Sequence, residues 1–416
     1  MIRKLAGHSL VRNSLRIFSG NVLIQLVSFL FLPVFSRVYS PSDYGVWGIF
    51  VFLSGFIAVF AGLRYELAIM IPESNRMAYV IFKMTQSLAF YTCVLSLLLI
   101  LFFYRPMLDL FHLPDSMHLW LLVPLQAWLT AMNNTMMQWY GRKNEFRTLA
   151  HMRILQSLSN IAVSLFFGYF LEMGYYGLIY GLMISVLISD IYLAVKLRLP
   201  LFKIRCYPLK LYRKLIFRYK NFLYFSTPLG ILNYFSTNIL VSVLQINYGA
   251  AAMGLYTNAN RLIQSPLSLI SSAVSMVFYP HFSKSEKKQR DVILVFSVLV
   301  LVFSLILLPL VFFGEELLGF YLGEEWIGSA RFIRLLFVFM VLSTAVSCIS
   351  PIFSYLQKDN LVLVWQVGYL LSAIGVFRYF SGDLDKAVFY YSLMGGLAYF
   401  LLFCLGLFLL RKGRKV

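Results

Sequence analysis

The sequence predicts an all-α polytopic membrane protein with about twelve transmembrane helices in two six-helix bundles. Of its 416 residues, 60% are hydrophobic and only 13% are charged, and the mean hydropathy is +0.77. Apolar runs of about twenty residues recur along the chain, and each is long enough to cross a hydrocarbon core about 30 Å thick. Soluble domains do not have this composition, so we interpret the chain as crossing a membrane many times.

The apolar runs, numbered 1 to 12 in chain order, predict the helices and their grouping. They cover 14–38, 44–71, 79–104, 117–139, 153–171, 174–195, 222–247, 252–280, 292–313, 329–356, 361–380 and 386–410. The longest basic segment separates runs 6 and 7. We therefore predict an N-terminal lobe over 1–196, a linker over 197–221 and a C-terminal lobe over 222–416.

The linker repeats apolar residues at helical spacing between cations, which predicts an amphipathic helix at the inner membrane interface. Leu211, Leu215 and Phe222 alternate there with Lys210, Lys214 and Arg218. A solvated linker that carries topology charges is the alternative interpretation.

The positive charges indicate the topology. With the N-terminus inside, 28 of the 36 lysines and arginines fall in or beside inner segments, as the positive-inside rule requires. We therefore expect both termini in the cytoplasm and insertion by run 1, without a removable signal peptide. Because the net charge of +19 is spread between apolar runs, it does not indicate a nucleic-acid partner.

No cofactor motif is present. The four cysteines are scattered without a CxxC spacing, and no group of metal-ligating residues has a recognised spacing. We expect neither a metal site nor a disulfide framework.

The two halves share a short pattern that predicts an internal repeat. Tyr39 and Gly45 match Tyr248 and Gly254 at an offset of 209 residues, so runs 1 and 2 correspond to runs 7 and 8. Repeats of this kind are common in transporters.

Several longer segments resemble a known transporter family. They are RVYSPSDYGVW, RYELAIMIPES, YGRKNEFRTLAHMRILQS, NFLYFSTPLGILNYFS and YLGEEWIGSARFIRLL. Together they resemble the polysaccharide-transporter branch of the multidrug/oligosaccharidyl-lipid/polysaccharide exporter (MOP) superfamily, and within it the O-antigen and capsule repeat-unit flippases.

The resemblance implies a fold and an activity. It implies a V-shaped pair of six-helix bundles around a central cavity, as in multidrug exporters of the MATE type. The protein would move an undecaprenyl-diphosphate-linked oligosaccharide across the bacterial inner membrane by alternating access. Membrane lipids, a polysaccharide polymerase and a chain-length regulator would be its further partners.

Polar side chains inside the apolar runs are candidates for substrate binding. In run 8, Asn258 and Arg261 share one helical face with serines 265, 268, 272 and 275. Asn21 and Gln25 in run 1 and Asn233 in run 7 add amides, which suit sugar hydroxyls. Hydrogen bonds between helices within a bundle are the alternative use of these amides.

Run 2 contains two charges. Arg64 lies two residues past Gly62 in a helical reading, about 200° from the stripe formed by Gly48, Gly55 and Gly62. We therefore predict that Arg64 faces a cavity, with snorkelling to the inner interface as the alternative. Glu66, also two residues from Arg64, would lie near the stripe and on a different face from Arg64.

Together the charged residues suggest a mechanism. Arginine binds phosphate through two donors, so Arg64 would receive the diphosphate when the site is open inward and Arg261 when it is open outward. Glu66 and Asp190 are candidates for proton or sodium coupling. An ion pair for Glu66 and an interfacial position for Asp190 are the alternatives.

Other functions fit the sequence less well. A multidrug cation exporter needs a cavity rich in carboxylates, and a peptidoglycan-precursor flippase usually has two further helices. A membrane polymerase or glycosyltransferase needs a larger loop or domain than this chain offers. We therefore predict a transporter and not an enzyme.

Overall fold

A computed structural model describes residues 22, 24–111, 115–197, 207–284, 288–356, 358–380 and 382–412. Helices and the turns between them account for these residues, which confirms the predicted all-α membrane fold. Residues 24–30 are helical. The helices that follow are α1 Leu32–Val38, α2 Pro41–Ala61, α3 Asn75–Phe102, α4 Tyr104–Phe111, α5 Met117–Arg142, α6 Phe146–Leu165, α7 Tyr175–Lys196, α8 Leu209–Arg218, α9 Thr227–Lys284, α10 Lys288–Phe312, α11 Gly314–Leu322, α12 Gly328–Ile349, α13 Pro351–Tyr355, α14 Asp359–Tyr379 and α15 Leu384–Lys412.

Within these ranges, eight helices are long and apolar enough to cross a membrane. The longest apolar segment, Phe222–Ser275, has 54 residues and contains a break at Gly249, where φ is 79° and ψ is −179°. Only glycine adopts this conformation readily. The break divides α9 into the helices predicted from runs 7 and 8. Gly249 lies 209 residues after Ser40, the residue that caps α2. The second half of α9 and α2 therefore start at matching positions of the predicted repeat.

The chain forms two compact units. The first consists of Val38–Met253 with the described residues before Leu32, and the second consists of Leu32–Arg37 and the residues from Gly254 onward. The lobe boundary at 197–221 remains a prediction.

The start of α2 is fixed by the Ser-Pro-Ser-Asp sequence. The Ser40 amide donates to Asp43 Oδ2 at 2.9 Å, and the Asp43 amide donates to Ser40 Oγ at 3.2 Å. This capping box satisfies two amides that the first turn leaves unpaired. Asp43 Oδ1 also accepts a hydrogen bond from the Tyr175 amide at 2.9 Å, so one carboxylate joins the starts of α2 and α7.

The end of α2 differs from the sequence prediction. Run 2 continues to residue 71, but the helix ends at Ala61. Leu63 and Arg64 have positive φ values of 48° and 59°, a left-handed conformation that stops an α-helix. A short 3₁₀ helix, Leu67–Met70, then leads to α3. Arg64 and Glu66 therefore lie in a turn beyond the membrane-spanning part of α2.

In the first unit the helices enclose two buried apolar clusters. One contains Phe50 of α2, Trp120 of α5 and Ile179 of α7. The other lies beneath the turn after α2 and contains Tyr65 and Phe82. Both clusters include large aromatic residues, which bury much apolar surface per residue.

Helix α8 has the predicted amphipathic character. Leu215 is buried in the second cluster, and the Tyr65 hydroxyl donates to the Ile216 carbonyl at 3.2 Å. The cations Lys210, Lys214 and Arg218 are exposed. Its location at the inner interface remains a prediction, and residues 198–206 of the predicted linker lie outside the described residues.

The second unit is built around α12 and α15. Gly395 of α15 faces the Phe339 ring of α12, which would be 2.6 Å from a Cβ at that glycine. Phe296 of α10 stacks on Phe403 of α15 with ring centroids 3.9 Å apart. These contacts hold three long helices together by side-chain packing.

Candidate functional site

The turn that follows α2 presents an arginine with unused hydrogen-bond donors. Arg64 Nη1 lies 3.7 Å from Glu66 Oε1, and 33% of the Arg64 side chain is exposed. This separation is an ion pair without a hydrogen bond. Arg64 Nε is buried and has no partner among the described residues. The guanidinium therefore keeps donors for an incoming anion.

The relation between Arg64 and Glu66 corrects the sequence prediction. Their assignment to different helical faces assumed a continuous helix, whereas the turn brings the two side chains together. Glu66 does lie near the glycine stripe, since its Oε2 would be 3.1 Å from a Cβ at Gly62. Burial raises the pKa of the Glu66 carboxyl, and its own backbone and the Arg64 charge oppose that shift. Protonation of Glu66 would release Arg64 from its partner.

Arg64 packs against the first half of α9. A Cβ at Gly230 would lie 3.3 Å from Arg64 Nε and 3.4 Å from Val59 Cγ1. The distance to Arg64 Nε is shorter than an ordinary van der Waals contact. A larger residue at position 230 would therefore crowd the guanidinium. Gly230 thus makes room for the arginine.

Arg142, at the end of α5, anchors the segment that carries this turn. Its Nη1 donates to the carbonyls of Ile69 at 3.0 Å and Met70 at 3.3 Å, and its Nη2 donates to the carbonyl of Glu73 at 3.1 Å. Hydrogen bonds from a charged donor are stronger than neutral ones. The sequence analysis counted Arg142 only as a topology charge, because nothing in a sequence identifies backbone carbonyls as partners.

Asp190 is buried in the first unit, inside α7. Asp190 is only 1% exposed. Its Oδ1 accepts a hydrogen bond from Asn133 Nδ2 at 2.8 Å. The same Nδ2 lies 3.0 Å from Ser189 Oγ. Asp190 Oδ2 has no partner among the described residues. Asp190 is thus enclosed by protein, and its carboxylate has one oxygen available for a cation or proton. Its position relative to the inner membrane interface remains a prediction.

Asn133 was missed by the sequence analysis. Asn133 is buried, whereas its neighbour Asn134 is exposed, and the sequence does not distinguish these two amides. A buried carboxylate needs a donor from another helix, and only the packing of α5 on α7 identifies which amide supplies it.

Two candidate residues belong to the second unit. Arg261 lies over the Phe35 ring with its Cζ 5.6 Å from the ring centroid, a cation–π contact. Asn258 is 2% exposed, and its Nδ2 has no hydrogen-bond partner among the described residues. Two of the nearby serines donate to carbonyls of their own helix: Ser268 Oγ to Ser265 at 3.0 Å and Ser272 Oγ to Ser268 at 2.7 Å. These two hydroxyl donors are therefore used within α9.

The remaining candidates have mixed surroundings. Gln25 is half-buried and Asn233 is exposed, and both lie in the first unit. Asn21 lies outside the described residues. The substrate-binding roles of all these residues remain predictions.

Comparisons with known proteins identify the family. The family model described as "Polysaccharide biosynthesis protein" matches residues 34–331, well over half of the chain. The succinoglycan biosynthesis transport protein ExoT of Rhizobium meliloti (strain 1021) is 21% identical over 381 residues, which cover 87% of this chain and 73% of ExoT.

Solved structures support the same fold. The lipid II flippase MurJ in an inward closed conformation has a TM-score of 0.70 at 14% identity, over 98% of this chain and 88% of MurJ. An inward-facing MATE family transporter of the MOP superfamily has a TM-score of 0.66 at 18% identity, over 96% of this chain and 95% of that transporter. The resemblance predicted from the sequence is confirmed: the chain has the MOP-superfamily fold and belongs to the polysaccharide biosynthesis protein family.

Proposed function

We propose that this protein is a flippase for lipid-linked oligosaccharide. It moves undecaprenyl-diphosphate-linked repeat units, of the O-antigen or capsule type, from the cytoplasmic to the periplasmic leaflet by alternating access. The observation that carries the proposal is the Arg64 guanidinium, which is one-third exposed and has donors without partners. The family, the transport function in the name of ExoT and the fold shared with MurJ support it.

Arginine favours a diphosphate over the cargo of a cation exporter. A guanidinium stays charged and contacts phosphate through two parallel donors. At the turn after α2, the carboxylate of Glu66 forms an ion pair with Arg64. Arg261 would be the second cation that receives the diphosphate. The amides Asn21, Gln25, Asn233 and Asn258 would bind sugar hydroxyls.

The test of this function is translocation by the purified protein in liposomes. A fluorescent polyprenyl-diphosphate oligosaccharide is placed in both leaflets, and a glycosidase added outside removes the accessible glycan. We expect the protected inner pool to become accessible, with no change in the covalent structure of the lipid before cleavage. Formation of longer glycans would indicate a polymerase or glycosyltransferase, and uptake of organic cations without lipid movement would indicate a multidrug exporter.

Asp190 is our proposed site of cation coupling. We expect Asp190→Asn to abolish any acceleration of translocation by an imposed proton or sodium gradient, because an amide neither ionises nor carries charge. The rate without a gradient should remain measurable. Asp109→Asn, which changes an exposed carboxylate in the same unit, is the matched control.

The coupling proposal is wrong if Asp190→Asn keeps the gradient response, or if the wild-type protein has none. In the second case the membrane potential would be the driving force, because an inside-negative potential favours outward movement of an anion by about 2.3 kcal/mol per charge per 100 mV. Glu66 is the other carboxylate to test in the same way.

We further propose a bacterial inner-membrane location with both termini in the cytoplasm. The distribution of lysine and arginine along the sequence supports this orientation. A polysaccharide polymerase and a chain-length regulator would then receive the glycan on the opposite face.

A further inference from the structure

Helix α3 carries a buried lysine that the proposed transport mechanism does not use. Lys83 is 7% exposed and lies eight residues after the first residue of α3, about 12 Å along the helix. The sequence analysis counted it among the inner charges, whereas the structure places it inside α3, a helix long and apolar enough to cross a membrane. A charged residue at such a position needs a partner.

The partners of Lys83 within the described residues are neutral. Its Nζ donates to Gln86 Oε1 at 3.3 Å and lies 6.0 Å from the Tyr79 ring centroid and 5.8 Å from that of Phe82. No described carboxylate forms an ion pair with it. Aromatic faces and an amide compensate a buried ammonium only in part, so an anion beside Lys83 would be stabilised.

Lys83 lines a pocket between α3 and α5. Gln86 and Phe90 lie on the same face of α3 as Lys83. Trp128 and Met132 of α5 line the other side of the pocket. Its cavity volume is about 40 Å³, against the ~10–15 Å³ that one water molecule needs, so the pocket has room for a small polar group.

Exposed apolar side chains follow the pocket along α3. Phe90 is 39% exposed, and Tyr91 and Leu95 on the same stretch of α3 are 65% and 57% exposed. Large apolar side chains on a membrane-spanning helix are suited to contact with lipid. A ligand with an acyl or prenyl chain can therefore keep that chain in the bilayer.

This pocket is separate from the turn after α2. A Cβ at Gly62 would meet Thr85 of α3, so Thr85 faces that turn. Lys83 is two residues from Thr85, about 200° around the helix. The Arg64 turn and the Lys83 pocket thus lie against opposite sides of α3.

We propose that the Lys83 pocket binds the phosphoryl group of a membrane lipid that enters laterally between α3 and α5. Lys83 supplies the charge, and the Gln86 amide donates from Nε2 while its Oε1 accepts from Lys83. Phe90 and Met132 contact the apolar stem of the lipid. The same chemistry fits a polyprenyl phosphate and an anionic phospholipid.

The experiment measures lipid binding to the full chain in detergent by native mass spectrometry, so it does not depend on transport. The probes are undecaprenyl phosphate, phosphatidylglycerol and zwitterionic phosphatidylcholine. We expect one saturable site for an anionic lipid, an affinity about tenfold lower in Lys83→Met, and near-normal affinity in Lys83→Arg. A tenfold change corresponds to about 1.4 kcal/mol.

Two further variants control for general charge and for folding. Lys143→Met removes an exposed lysine that lies 5.2 Å from the Trp139 ring centroid in the same unit, and we expect less than about a twofold change because exposed charges are screened. Gln86→Leu keeps the lysine but removes the amide, and it should weaken binding while the protein stays folded.

The outcomes separate the sources of the phosphate. Binding of both anionic lipids supports a general site for anionic lipid phosphate, and binding of undecaprenyl phosphate alone supports a second substrate site. Equal losses in Lys83→Met and Lys143→Met would overturn the proposal, as would wild-type binding in both Lys83→Met and Gln86→Leu. Equal affinity for phosphatidylcholine and phosphatidylglycerol would also overturn it, because the cation would then have no role.

Discussion

Arg64→Ala is expected to slow translocation of a lipid-linked diphosphate about tenfold to a hundredfold, because a hydrogen bond to a charged group contributes about 1.5–3 kcal/mol. Arg64→Lys should retain part of the activity, since lysine keeps the charge but not the two parallel donors. The measurement is the rate at which inner-leaflet glycan becomes accessible in liposomes that contain equal amounts of protein. Arg147→Ala, an exposed cation in the same unit, should transport at the wild-type rate.

A structural role for Arg64 makes a different prediction. The Arg64→Ala variant leaves Glu66 without its cation, and that change alone could disturb the turn. The double variant Arg64→Ala with Glu66→Gln removes the unpaired charge. If Arg64 binds the substrate, the double variant stays as slow as Arg64→Ala. Recovery of wild-type transport in the double variant would contradict substrate binding and assign Arg64 to the ion pair.

The membrane fold and the start of α2 could be predicted because they depend on local sequence. Apolar runs of about twenty residues define spans whatever their neighbours are. The capping box of Ser40 and Asp43 uses residues three apart, so its pattern is visible in the sequence. The second role of Asp43, as acceptor for the Tyr175 amide, involves a residue 132 positions away and has no local signal.

The end of α2 was not predictable from composition. Residues 67–71 are Leu, Ala, Ile, Met and Ile, which continue the apolar run without a visible boundary. The helix stops because Leu63 and Arg64 adopt left-handed conformations, and the following segment is held by Arg142 from α5. A tertiary interaction thus decides a local conformation, as it often does where propensity is weak.

The sequence indicated which residues are candidates for the site, but not which side chains they contact. Arg64, Glu66 and Asp190 stood out because charges inside apolar runs are rare. Their partners depend on the folded structure: the packing of α5 on α7 brings Asn133 to Asp190, and the turn after α2 brings Glu66 to Arg64. Lys83 was assigned to the topology charges because it is close to the start of run 3, and only its burial distinguishes it from a loop lysine.

Gly45→Ala is expected to destabilise the first unit by about 3 kcal/mol or more, at or above the upper end of the usual cost of overpacking. A Cβ at Gly45 would lie 2.0 Å from the Ala250 carbonyl oxygen and 2.7 Å from its Cα. These are backbone atoms, so no rotation of a side chain can relieve the clash, and α2 must move away from α9. We expect a lower thermal midpoint and aggregation in size-exclusion chromatography.

Gly375→Ala provides the matched control for the Gly45 substitution. Gly375 lies within α14, and a Cβ there would meet no atom within 4 Å. Alanine favours a helix over glycine by about 0.8–1.0 kcal/mol, so this variant should be as stable as the wild type or slightly more stable. If Gly45→Ala had the wild-type thermal midpoint, α2 and α9 would have room to separate at Gly45, and the close helix contact would not contribute to stability. If both variants were destabilised equally, the loss would come from backbone effects common to glycine substitution and not from contact with Ala250.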